Sequence, residues 1–75
     1  MSENKAALAI IEFKAAITLS PNFGLAYRSL ATANMMISNN AAAAVAYRRF
    51  IELEPKHPDV PKVQEFLEDY DKKNP

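Results

Sequence analysis

His57 is the single histidine of the 75-residue chain, and acid–base or metal chemistry would begin there. It stands between Lys56 and Pro58, and a metal site would need further His, Cys, Asp or Glu side chains at ligand spacing. The sequence sets none beside it, and the chain has no cysteine. His57 is therefore expected to be a surface or helix-end residue. Glu52 and Glu54 flank Leu53, a spacing that turns two side chains about 200° apart on a helix. They are read as solvated charges rather than a working carboxylate pair. The hydroxyls of Ser20, Ser29 and Ser38 have no base that the sequence places beside them. One glycine, Gly24, is too few for a phosphate-cradling loop. No catalytic residue, metal ligand or cofactor is assigned, and the chain is expected not to be an enzyme.

Charge offers one alternative. Arg48, Arg49 and Lys56, with Lys14, could make a local basic patch for nucleic acid. Against it, nine basic and nine acidic residues cancel, and no surface aromatics are interleaved to stack on bases. A solvated outer face is the preferred reading of these residues. Apolar runs are broken by Glu, Lys or Asn, so no membrane span is expected. The opening "MSENKAALAI" is neither basic nor apolar enough for a signal peptide. A cysteine-free chain without a leader suits the reducing cytoplasm.

Alanine-rich segments with one glycine favour helix nearly throughout. Four helices are expected, at about residues 3–19, 23–38, 41–54 and 60–72, with no competing strand pattern. Pro21 and Pro55 stop the first and third. Asn22 and Asn40 are the expected N-caps of the second and third, and Asn39 is the expected left-handed turn residue between them. Asp59 is the expected N-cap of the last helix, with Pro61 in its first turn. The connections are short enough to set consecutive helices antiparallel. All 75 residues are read as one all-α domain.

The four helices also repeat. "FKAAITLSPN" begins at Phe13 and "YRRFIELEPK" at Tyr47, so Phe13, Lys14, Ile17, Leu19 and Pro21 lie 34 residues before Tyr47, Arg48, Ile51, Leu53 and Pro55. Helix–turn–helix units at this period resemble tetratricopeptide repeats. Residues 24–57 resemble one complete repeat: Gly24 opens it, Tyr27 takes its aromatic position, and Leu30 and Ala31 fall on its Leu-Gly pair. Ala43, Tyr47 and Pro55 match its small, aromatic and closing proline positions. Ala9, Phe13, Ala16 and Pro21 resemble the second half of a preceding repeat. The resemblance implies residues 1–21 as a half unit, 22–57 as a full unit, and 58–75 as a capping helix and tail.

Departures carry expectations of their own. Asn34 stands where the family has Tyr, and is expected to be buried with a partner or placed at a looser edge. Phe50 stands where the family has Ala, and should pack under the last helix. There Pro61, Gln64 and Glu65 break the repeat pattern. Val60, Val63, Phe66, Leu67 and Tyr70 form one side of that helix, and Glu65, Glu68, Asp69 and Lys72 much of the other, as a terminal cap requires.

Two surfaces then invite partners. Leu8, Ile10, Ile11, Phe13, Ile17 and Leu19 run around most of the first helix, an excess of apolar surface for one neighbour. Leu8, Ile10, Ile11 and Ile17 are the expected self-association residues, in a homo-oligomer or a longer repeat array. The second surface is implied by the resemblance, whose members bind peptides along a concave face. The matching positions are Leu25, Arg28, Ser29, Thr32, Met35 and Met36. Methionines adapt to varied ligands, and Arg28 suits a partner's carboxylate, although Met35 and Met36 are equally compatible with partial core burial. The family members that clamp a terminal acid motif use Lys and Asn where this chain has Arg28 and Thr32, so that specificity is not expected. The expected function is non-catalytic protein–protein association: a scaffold or assembly module that self-associates or binds a partner's short peptide.

Overall fold

The computed structural model describes residues 3–74. They form four helices: α1 (Glu3–Leu19), α2 (Gly24–Met36), α3 (Asn40–Leu53) and α4 (Val60–Lys73). The fold is all-α. Among the described residues, helix contacts run between neighbours in sequence: α1 with α2, α2 with α3, and α3 with α4. That is a row of helices rather than a closed bundle, and α1 and α4 each have one flank without a packed neighbour.

The 34-residue recurrence is present in the backbone. At the end of α1, Ser20 N–H donates to Ala16, Phe23 to Ser20 and Ala26 to Phe23. At the end of α3, Glu54 donates to Phe50, His57 to Glu54 and Val60 to His57, the same three bonds displaced by 34 positions. Each proline follows one residue after the first bond of its set, where its missing N–H costs nothing.

The turn between α2 and α3 differs from the sequence expectation in its details. Ser38, not Asn39, takes the left-handed conformation, with φ of 63°. Asn39 N–H donates to Asn34 C=O at 2.8 Å and Ser38 N–H to Met35 C=O at 3.0 Å, the paired bonds of a Schellman helix end. Asn39 then turns its side chain forward, accepting from Ala42 N–H at 3.2 Å as the N-cap of α3. An asparagine committed to capping has an extended-side φ of −92°, so the left-handed residue falls one place earlier. This shortens α2 to end at Met36 and starts α3 at Asn40, which is therefore not the cap.

Two other caps are corrected. Phe23, not Asn22, precedes α2 and makes no side-chain cap; the Asn22 side-chain Oδ1 accepts instead from the Arg49 guanidinium at 3.3 Å. Asp59 precedes α4 without capping it, because its carboxylate is held by Arg28. Pro61 lies in the first turn of α4, where proline is tolerated.

Small residues dominate the interior. Ala31, Ala43 and Ala46 are buried where α2 crosses α3, with Leu30, Tyr47 and Phe66 packed around them. Side chains of one carbon let the two backbones approach closely. A second cluster joins α3 to α4 through Ala44, Phe50, Val60, Val63 and Leu67. Phe50 is the largest fully buried side chain among the described residues. Tyr47 meets Phe66 edge-on at 5.4 Å, and Phe66 stacks on Tyr70 at 6.3 Å. Buried Asn34 donates its amide to Leu30 C=O at 2.9 Å, which gives the buried polar group a partner. Glu65, Glu68, Asp69 and Lys72 are exposed on the far side of α4.

Phe50→Ala should cost about 3–5 kcal/mol, a large share of the total available to a domain this small. Urea denaturation followed by circular dichroism measures it. A loss under about 1 kcal/mol would mean that α4 is not held through Phe50.

Candidate functional site

Between α2 and α4 lies an open groove of about 560 Å³. Arg28, Ser29, Thr32, Met35 and Met36 line it from α2, each at one-turn helical spacing from another. Five of the six concave-face residues expected from the sequence thus share one surface. Leu25, the sixth, is exposed but lies outside the groove lining. Met35 and Met36 are both exposed, so they are available as contact surface rather than spent in the core.

The opposite wall comes from α4 and the residue before it: Asp59, Lys62, Val63 and Phe66. These stand 34 positions after Leu25, Arg28, Ser29 and Thr32. Lys62, Val63 and Phe66 are thus offset by 34 from groove residues of α2, although Asp59 matches Leu25, which lies outside the lining, and α4 departs from α2 at its packing positions. Sequence reading assigned α4 to capping and missed this wall. The 34-residue offset, applied to the concave positions, was the signal that finds it. Tyr47 of α3 closes the floor, 3.4 Å from the Thr32 hydroxyl, and Phe13 of α1 borders one end.

Arg28 is not open for a partner's carboxylate in the way expected. Its guanidinium donates to Asp59 at 2.7 Å, bridging the two walls across 31 residues of sequence. Lys62 is exposed and forms no ion pair among the described residues. The groove accordingly offers apolar surface, adaptable thioethers and one available ammonium. His57 lies nearby as a structural residue: its Nδ1 accepts Asp59 N–H at 3.0 Å, and its ring meets Phe50 edge-on at 5.2 Å. Among the described residues, no three His, Asp or Glu side chains gather as a metal site would require.

Arg48 and Arg49 of the basic patch are paired, whereas Lys14 and Lys56 form no ion pair among the described residues. Arg48 is hydrogen-bonded to Asp71. Arg49 bonds Glu52 at 2.8 Å and sits 5.9 Å from the Tyr27 ring centroid. Its pKa is raised, first by the bond to Glu52 and then by Tyr27. The four self-association residues divide into two sets. Leu8 and Ile11 are exposed, whereas Ile10 and Ile17 are half-buried on the side of α1 that carries buried Ala6. No described helix is long and apolar enough to cross a membrane. No family model, no curated protein and no solved structure matches the chain.

The Arg28–Asp59 bridge is partly exposed on both sides, so it should be weak. Asp59→Asn is expected to lower thermal stability by about 1 kcal/mol or less. A loss above about 3 kcal/mol would place the bridge among the interactions that hold α4 in position.

Proposed function

We propose that the chain is a non-catalytic protein–protein association module of tetratricopeptide-like build, which takes a short peptide of a partner in the α2–α4 groove. The observation that carries this reading is the groove itself. It joins Arg28, Ser29 and Thr32 to Lys62, Val63 and Phe66, 34 residues later, with exposed Met35 and Met36 and, among the described residues, no ion pair at Lys62. The repeat-like build is supported by the two matching helix ends and by neighbour-to-neighbour helix contacts. Buried Ala31 and Ala43 at the α2–α3 crossing occupy the positions at which such repeats carry small residues. Two facing walls make a short groove, so one partner peptide would contribute an apolar anchor for the methionines and a carboxylate for Lys62. Affinity should be modest, at about the micromolar level or weaker.

The competing nucleic-acid reading through Arg48 and Arg49 loses support from the pairing of both guanidiniums with carboxylates. Titration of the labelled chain with short peptides that join a Leu or Phe to a nearby Asp or Glu separates the two by NMR. Shifts should concentrate on residues 28–36 and 62–66. Lys62→Glu should weaken binding about fivefold or more with melting unchanged. Failure of such peptides to shift the groove, together with salt-sensitive shifts around Arg48 and Arg49 on adding an oligonucleotide, would overturn the assignment.

A further inference from the structure

Three charged side chains line the groove, Arg28, Asp59 and Lys62, and Asp59 is the one acid among the lining residues. Its carboxylate lies on Arg28 through a single contact, Arg28 Nη1 to Asp59 Oδ2 at 2.7 Å. An arginine fork offers more donors than this and commonly takes a carboxylate through two parallel bonds. We infer that Asp59 is an internal gate on an acid subsite. It holds Arg28 until a carboxylate of a bound peptide takes that guanidinium from it, with Lys62 as the second cation. The inference rests on the groove reading above and adds how the groove selects for acid.

The exchange is local. Asp59 is fixed through its backbone on both sides: its N–H donates to His57 Nδ1 at 3.0 Å, and its C=O accepts from Val63 N–H at 3.0 Å. Release of Arg28 therefore requires rotation of one side chain and leaves the start of α4 in place. Asp59 stands directly before α4 without capping it, so no helix-end bond is lost when the carboxylate turns away. Both partners are partly exposed, 37% for Arg28 and 41% for Asp59, so an incoming group can reach them and the pair between them is weak.

Charge complementarity names the occupant. Two cations against one acid leave the lining with a net positive charge, carried at Lys62 while Arg28 is on Asp59. A ligand carboxylate seated between Arg28 and Lys62 meets both cations, and it can pair with the guanidinium through two bonds where Asp59 uses one. A neutral peptide has nothing to offer Arg28 and leaves the bridge closed. The occupant is therefore a peptide that carries Asp or Glu close to the apolar residue seated on Met35 and Met36. Asp59 sets the threshold such a peptide must exceed, because a ligand acid gains Arg28 only by competing with an acid already there.

Titration by NMR with acetyl-Leu-Ala-Glu-amide and its Gln counterpart tests the inference. Asp59→Asn should tighten binding of the Glu peptide about fivefold or more and leave the Gln peptide within about twofold. In an Arg28→Gln background the same substitution should change Glu-peptide affinity by less than about twofold, because the gate acts through Arg28. If Asp59→Asn does not fold, Asp59→Ser supplies the same comparison. Equal tightening with and without Arg28 overturns the inference, since Asp59 then acts only as a repelling charge. Groove shifts that the Asp59 variants fail to strengthen overturn it too, and leave peptide binding standing. No groove shift with either peptide, in the wild type and in Asp59→Asn alike, overturns the peptide-binding reading and this inference with it.

Discussion

Close approach of α2 and α3 at Ala31, Ala43 and Ala46 is the constraint on which the remaining geometry depends. Each of these side chains is buried, and each ends at its β-carbon. Two helices meeting at one-carbon side chains can come nearer than helices meeting at Leu or Ile, which fixes the angle and depth of the crossing. Larger residues then pack around the crossing: Leu30 and Tyr47 at its sides, and Phe66 reaching in from α4. Tyr47 and Phe66 belong to both hydrophobic clusters, so the crossing and the seat of α4 are mechanically linked. The cost of this plan is a thin core. Alanine buries little area, and Phe50, the largest fully buried side chain among the described residues, packs in the cluster that docks α4.

A row of helices joined only to their neighbours leaves two kinds of open surface. On one side, α2 and α4 stand apart and their facing sides define the groove, spanned by the Arg28–Asp59 bridge. On the other, α1 turns an aliphatic stripe outward. The groove is concave, bounded by sulfur and aromatic surface with a cation at its edge, and suits a slender ligand of mixed character. The outward side of α1 is convex and mixed, with exposed Leu8, Ile11 and Leu19 beside exposed Asn4 and Glu12.

Helix number, order and near-boundaries were legible because prolines and alanines state them locally. Pro21 and Pro55 marked the ends of α1 and α3, and both helices end within a residue of the reading. The turn after α2 was not legible in detail. Three consecutive polar residues, Ser38, Asn39 and Asn40, can each cap or turn, and the choice depended on which carbonyls Asn34 and Met35 left open. Five concave-face residues were named from the sequence, and the structure brings them together. Their facing wall was missed because α4 abandons the pattern at Pro61, Gln64 and Glu65, which hid the 34-residue offset of Lys62, Val63 and Phe66 from Arg28, Ser29 and Thr32. The Arg28–Asp59 pair was beyond the sequence for another reason: an ion pair 31 residues apart is set by tertiary placement.

Folding centred on the α2–α3 crossing requires protection to be greatest there and to fall toward the outer helices. Amide hydrogen exchange read residue by residue measures this directly. Amides of α2 and α3 around Ala31, Ala43 and Phe50 should be the slowest to exchange. Those of α1, which packs on α2 alone, should exchange faster by about threefold or more. Equal protection in all four helices would contradict a fold centred on that crossing.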